Sequence, residues 1–229
     1  MDVGDLLSDA TRYPLSDWKK LIILGLLFIL SILIIPGFLA LGYVFRVLKA
    51  SIAGSDELPD FDQWGEMFLD GFKVFVVQIA YFLIPGLVIF LGLWTSINSL
   101  ISIEGNTTTS TAVFGILGGS LTLGIILLVI FGVLFIMALA NMAYHNSELK
   151  AAFRIREILD VIAQIGWVEY IIWYVAMIIM GTIFGVIFSI LGIIPVIGWI
   201  ILILIVHPYL YLFYSRSLGL LFVSAFETV

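Results

Sequence analysis

The sequence predicts an all-α, polytopic transmembrane helical bundle of five spans, or six if one of two breaks opens into a hairpin, with two amphipathic interfacial helices. Three observations carry this. Of 229 residues, 62% are hydrophobic and only 11% are charged, where a soluble domain has about 45–50% and about 25%. The apolar residues stand in runs long enough to cross a hydrocarbon core, which takes about 20 residues. The charged residues fall between those runs. Spans of that length leave little for an independent soluble domain, so residues 1–229 read as one transmembrane domain.

The first run, about Leu21 to Phe45, follows the pair Lys19-Lys20. It is too long for a signal-peptide core and lacks a small-x-small cleavage site, so it reads as a retained span. Ile35-Pro36-Gly37 lies near its middle. Proline removes a backbone hydrogen bond, so a kinked helix or two half-helices is expected. The second span runs from about Val74 to Ile97, with Ile84-Pro85-Gly86 at its centre. The third covers about Ser120 to Tyr144, with Ala112 as its earliest start, and the fourth about Val168 to Leu191. Gly192-Ile193-Ile194-Pro195 leads into the fifth, from Val196 to Tyr214 or on to Phe226. A sixth span arises if Pro36 or Gly118-Gly119 becomes a hairpin. A broken or Gly-rich span, a polar stretch and a returning span occur twice, over residues 19–98 and 112–191, with a last span over 196–226. This layout reads as an internal repeat in which Gly42-Tyr43-Val44-Phe45-Arg46 matches Asn141-Met142-Ala143-Tyr144-His145.

Ten Lys and Arg stand against sixteen Asp and Glu, a net charge of −6. Nucleic acid demands a concentrated basic surface, so it is not an expected partner. With no cysteine there is no disulfide framework and no thiolate site. The basic residues cluster beside alternate loops: Arg46, Lys49 and Lys73, then Lys150, Arg154 and Arg156, then Arg216. The positive-inside rule puts those loops and the C-terminus in the cytoplasm. Five spans then leave the N-terminal tail outside despite Arg12, Lys19 and Lys20, whereas six bring both ends inside. Asn106-Thr107-Thr108 matches the N-glycosylation pattern in a loop this topology places outside.

The stretch Asp60 to Lys73 is the most patterned. Leu58-Pro59 halts the chain and Asp60 is a good N-cap. Phe61, Trp64, Phe68 and Phe72 form an aromatic face, and Asp62, Glu66 and Asp70 an acidic one. This predicts an interfacial helix whose acidic face is solvated, a docking surface for a basic partner, or a cation site. An internal partner is available after Ser147, where Lys150, Arg154, Glu157 and Gln164 share a face opposite Leu149, Ala152, Ile155, Leu159 and Ile162. If the two stretches pack as a pseudo-symmetric pair, Lys150 and Arg154 meet Asp62, Glu66 and Asp70. Charge reversal at Arg154 rescued by Glu66→Arg is the test of that pairing.

Ionisable or polar groups at depth are functional candidates because lipid penalises them. Gln78, Asn141 and His207 are the candidates here, with His145, Glu169 and Arg216 near span ends where snorkelling suffices. His207, followed by Pro208 and near Tyr209, Tyr211 and Tyr214, reads either as a kink histidine bonded to backbone or as a ligand- or proton-handling group. Gly115 with Gly119, and Gly181 with Gly185 and Ser189, fit small-xxx-small packing.

No HExxH, GxSxG, P-loop or strand-to-helix GxGxxG occurs, and no nucleophile–base pair is evident at depth. The sequence therefore predicts no catalytic residues, no cofactor and no metal site. Tyr13-Pro14, Ile35-Pro36-Gly37 with Gly42-Tyr43, Leu58 to Gly65, Asp70-Gly71-Phe72-Lys73 and Ile194 to Gly198 together resemble a family of small multi-pass prokaryotic membrane proteins, frequent in archaea, known only as a domain of unknown function. The resemblance covers most of the chain and is clearest over residues 13–90. It implies a prokaryotic cytoplasmic membrane and supplies no site residues. The expected partners are the lipid bilayer and other membrane proteins or a second copy. The expected role is a non-enzymatic subunit or scaffold acting through helix packing and its cytoplasmic surface helices. The alternatives are a small transporter or channel with a water-accessible site near Pro36, Pro85 and His207, or a lipid-binding protein.

Overall fold

The computed structural model describes residues 3–101 and 107–227, and among these every regular element is helical. Five helical stretches are long and apolar enough to cross a membrane: Ile34–Ile52, Trp64–Ser99, Val113–Tyr144, Trp167–Gly192 and Ile197–Phe226. The chain forms two compact units, one of Met1–Phe75 and Ile136–Val229, the other of Val76–Phe135.

The larger unit opens with α1 (Val3–Arg12), which buries Leu6 and Ala10, and a 3-10 turn at Tyr13–Leu15. Asp17 caps α2 (Trp18–Ile29) by accepting from the backbone N–H groups of Lys19 and Lys20 at 2.9 and 3.1 Å, which satisfies two donors the helix leaves free. The 3-10 turn Leu30–Ile32 and extended Leu33 then reverse the chain into α3 (Ile34–Ile52). The first apolar run is therefore a helical hairpin, and the single span expected over Leu21–Phe45 is not formed. Pro36 falls in the first turn of α3, where an N–H would have no intrahelical acceptor. It starts a helix here and kinks none. The two arms pack through Leu21, Leu24 and Leu27 against Ala40, Tyr43 and Val47, with Tyr13, Leu58, Met67 and Leu212 completing the core. At the end of α3, Gly54 turns left-handed at φ 77°, and the N–H of Ser55 reaches the Ala50 carbonyl at 2.9 Å, closing the helix as a Schellman motif does.

The helix expected to begin at Asp60 begins instead at Trp64. The Asp60 and Asp62 side chains go to Lys20 and Arg46, and Gln63 is left-handed at φ 47°. From Trp64 the helix α4 (Trp64–Ile101) runs through Pro85 without interruption, so its first turns are not a separate interfacial helix. α3 and α4 cross at two glycines. A Cβ on Gly42 would collide with the Met67 carbonyl, and one on Gly71 with the Phe38 carbonyl. Phe38 stands edge-on to Phe68, Phe72 and Phe75 at 5.4–5.6 Å, so part of the aromatic stripe packs on the hairpin.

The helix α5 (Thr107–Tyr144) continues through Gly118-Gly119, while Asn106 lies outside the described residues. One of the two breaks thus opens into a hairpin and the other does not, so the stretches read as repeats begin with different architectures, and the compact units cut across both. After α5 come a turn with Asn146 and Ser147 left-handed and a 3-10 segment, Leu149–Phe153. Next are α6 (Ile155–Ile165) and α7 (Trp167–Gly192). The single helix expected after Ser147 is broken at Arg154. Ala151, Ala152, Ile158, Val161 and Ile162 are buried, while Ile155 and Leu159 face outward.

The last span joins α8 (Ile197–Ile201), a π turn at Leu202–Val206 and α9 (His207–Glu227) without a gap. Pro208 has no N–H to give the Leu204 carbonyl, and the ladder widens just before it. Gly25 of α2 sits directly on this backbone, where a Cβ would lie 2.5 Å from the Leu204 oxygen. Further along, Gly219 lets α9 approach α3 at Ser51.

The smaller unit is an antiparallel pairing of α4 and α5. Gly92 lies against Ser120, Gly124 against Ile89, and Phe82 against Phe135 at 5.1 Å. Two glycines on opposite partners bring these backbones close.

Candidate functional site

The hairpin returns the chain to the end of the larger unit where it entered, and a polar cluster forms there around the loop Ser55–Gln63. A loop carries carbonyls that no ladder satisfies, and each must find a donor. The Glu57 carbonyl accepts from the Tyr13 hydroxyl at 2.9 Å, and that of Leu58 from Lys20 Nζ at 2.6 Å. The Pro59 carbonyl accepts from the Tyr43 hydroxyl at 2.9 Å. Arg46 Nη1 donates to the carbonyls of Asp60 and Asp62 at 3.0 and 2.9 Å. The Ser55 carbonyl accepts from Arg216 Nη1 at 2.6 Å. Five side chains from four elements thus clamp the backbone of one loop. Leu58 anchors it in the core, and Phe61 stacks on Tyr43 at 3.8 Å with the planes 5° apart.

Arg216 is the centre of the cluster. Its side chain is 3% exposed, with Nε 2.7 Å from Asp9 and Nη2 2.6 Å from Asp56. Its guanidinium lies 4.7 Å over the Tyr13 ring. α1, the loop and α9 meet on this one group. It does not snorkel, as its place near a span end led us to expect. It is neutralised by two carboxylates drawn from segments far away in sequence. Burial pushes the Tyr13 phenol up to about 12, against the pull of the Arg216 guanidinium. Hydrogen bonding and charge from Lys20 hold the Asp60 carboxyl below its usual range. Beside Arg216 a cleft of about 470 Å³ is lined by Asp5, Ser8, Asp9, Arg12, Tyr13, Ser16 and Asp56.

The acidic face expected to dock on Lys150 and Arg154 is matched by the hairpin. Asp62 pairs with Arg46 at 2.6 Å, and Asp70 with Lys49 at 3.4 Å and Lys73 at 3.8 Å. Arg154 pairs with Glu148 and Glu157 at 2.8 and 3.4 Å. Glu66 and Lys150 are both exposed. The pseudo-symmetric pairing is therefore not formed, because α3 ends beside α4 and supplies nearer cations. One link to the later segment remains: Lys49 Nζ also donates to the buried Ser147 Oγ at 3.0 Å.

The intramembrane candidates are not brought together. Gln78 is exposed on α4. Asn141 is buried, and its Nδ2 donates to the Ala151 carbonyl at 3.0 Å, pinning the 3-10 segment. His145 Nδ1 lies 2.9 Å from the Asn141 carbonyl and Nε2 3.1 Å from Glu157. His207 is ringed by Phe28 at 4.5 Å, Tyr211 at 4.8 Å and Phe188 at 6.3 Å. Neither it nor Pro36 nor Pro85 lines the cleft. Among the described residues, no three His, Cys, Asp or Glu side chains converge as a metal site.

Sequence reasoning missed the Arg216 node. The usable signal was the residue itself, since an arginine following an unbroken apolar run needs a counter-ion. Its partners at positions 9 and 56 carried no spacing that could reveal them. A family model described as a protein of unknown function (DUF4013) matches residues 25–196. No curated protein and no solved structure matches the chain.

Proposed function

The chain belongs to the DUF4013 family, whose function is unknown, and from that premise we propose that it is a non-enzymatic subunit or scaffold of a prokaryotic cytoplasmic-membrane assembly. The observation that carries this reading is the contrast between its polar end and its flanks. The principal buried charge, Arg216, is consumed by internal partners, and Asn141 holds backbone. The flank of α7, by contrast, is left open. That helix buries Tyr170, Trp173 and Met177, while Ile172, Ile179 and Val186 are 52%, 54% and 54% exposed. Ion pairs that hold the chain's own fold, beside an uncovered apolar face on α7, favour a role played through contact. Lipid covers such faces in part, and a partner helix in the same bilayer is the other fitting surface.

The charge distribution supports an orientation. Lys20, Arg46, Lys49, Lys73, Arg154 and Arg216 all pair at one end of the larger unit. The positive-inside rule favours that end in the cytoplasm. Crosslinking tests the role. The chain lacks cysteine, so Ile179→Cys and Val186→Cys each introduce a single thiol. A membrane-soluble bismaleimide in native membranes should give an adduct of defined mass at one or both. A lone monomer in mild detergent, with no adduct at either position, overturns the proposal.

A further inference from the structure

We propose that the α2–α3 hairpin is a re-entrant element: it enters the bilayer from the ion-paired end, places its tip among the acyl chains, and returns without crossing. The tip Leu30–Ile35 is the most exposed apolar turn of the larger unit, with Ile32 93%, Leu33 61%, Ile34 75% and Ile35 63% exposed. No charged residue lies between Lys20 and Arg46. In water such a turn would leave four large aliphatic side chains uncovered, whereas hydrocarbon solvates them without loss.

The turn ties up part of its own backbone. Irregular backbone is excluded from hydrocarbon unless its polar groups are satisfied internally. Here the Leu33 N–H donates to the Leu30 carbonyl at 2.8 Å and the Gly37 N–H to the Leu33 carbonyl at 3.3 Å; Pro36 has no N–H to satisfy, and the N–H groups of Ile34 and Ile35, which no side chain caps, are the two left open at the start of α3. The Ser31 hydroxyl, the one polar side chain of the turn, donates to the Phe28 carbonyl at 2.6 Å.

Length decides between crossing and returning. The polar boundary of the hairpin is fixed by Lys20 on one arm, paired with Asp60 at 2.8 Å, and by Arg46 on the other, paired with Asp62 at 2.6 Å. From Ile34 to Phe45, at about 1.5 Å per residue, the helix descends about 18 Å. The other arm, from Leu21 through the 3-10 turn, descends about 20 Å. A hydrocarbon core is about 30 Å thick. The hairpin passes the midplane and stops short of the far headgroups. α7, which runs about 39 Å from Trp167 to Gly192, is long enough to cross. The crossing helices are then α4, α5, α7 and α8 with α9, an even number.

Single cysteines in this cysteine-free chain test the proposal, each variant being checked for monodisperse elution. Lys19→Cys and Ala53→Cys mark the ion-paired side, Ile193→Cys the turn between α7 and α8, and Ile32→Cys the tip. In sealed vesicles of phosphatidylcholine and phosphatidylglycerol, Lys19→Cys and Ala53→Cys should react with a membrane-impermeant maleimide from the same side. Ile32→Cys should react from neither side. Bimane attached to Ile32→Cys before reconstitution should lose at least twofold more fluorescence to lipid carrying a nitroxide at acyl carbon 12 than at carbon 5. Labelling of Ile32→Cys from the side opposite Lys19→Cys means that both arms cross, and overturns the proposal. So does labelling from the same side, which would mean a water-filled approach to the tip. Protection without quenching means that protein covers the tip, and overturns acyl chains as the occupant. Stronger quenching from carbon 5 overturns the depth.

Discussion

Arg216 shows what a single residue contributes to this fold. Its guanidinium is buried while Asp9 and Asp56 are 42% and 85% exposed at the side chain, so removing the cation leaves two acids that water can recover. Arg216→Met should therefore destabilise by about 2–3 kcal/mol, less than the about 3–5 kcal/mol of breaking a pair whose remaining partner stays buried. Thermal unfolding in detergent measures this. Arg216→Lys should recover only part of the loss, because an ammonium cannot reach both acids and the Ser55 carbonyl in one plane. Two neighbours give pH signatures of opposite sense. Asp60 is held low by Lys20, so the pair favours the folded state above about pH 4 and loses that advantage as pH falls through the lowered value. The stability difference between the wild type and Lys20→Met should shrink on acidification. Tyr13 is neutral in both states below pH 10, and between pH 10 and about 12 only the unfolded chain ionises. Stability should fall across that window, and the fall should be shallower in Tyr13→Phe, which leaves the other buried tyrosines, Tyr43, Tyr81 and Tyr170, in place.

At the scale of elements, close backbone approach is what joins the helices. Gly42→Ala pushes a methyl into the Met67 carbonyl, a backbone atom that cannot swing aside. It should cost about 2–3 kcal/mol, as overpacking does, and lower the unfolding midpoint. Gly86→Ala, where nothing lies within 4 Å, should be neutral or stabilise by up to about 1 kcal/mol through helix propensity. If both variants behave alike, the α3–α4 crossing is not set by Gly42. Tyr43→Phe removes the donor to the Pro59 carbonyl. It should cost about 1 kcal/mol and make the loop Ser55–Gln63 more sensitive to protease, with the stacked Phe61 holding part of the clamp.

For the whole molecule, the hairpin changes the parity of the chain. α1 and the middle of α9 meet at Arg216 in the same unit, and reporters fused to the two termini should give the same side of the membrane. Opposite sides would restore the odd count that five sequential spans imply. Much of the architecture was legible beforehand: the composition predicts a polytopic helical protein, and the fourth span, expected at Val168–Leu191, is α7 (Trp167–Gly192). The candidate site was less so. Asp62 and Asp70 were singled out as a column of one-sign charge, but their partners are Arg46 and Lys49, which sit on the hairpin arm and carry no pattern pointing to them.

The side chains alone set the environment each segment favours, because transfer to hydrocarbon is a sum over side chains and needs no knowledge of neighbours. The sequence also marked where chain breaks were allowed, at Pro36 and at Gly118-Gly119. Packing selected which break was used. A proline at the start of α3 is tolerated once Leu21, Leu24 and Leu27 can pack back on Ala40, Tyr43 and Val47, while Gly118-Gly119 stays helical within α5. Likewise it decided that Asp9 and Asp56, two of sixteen acids, would neutralise Arg216. Ion pairing over such separations depends on which backbones lie within a few ångströms, and that is a property of packing.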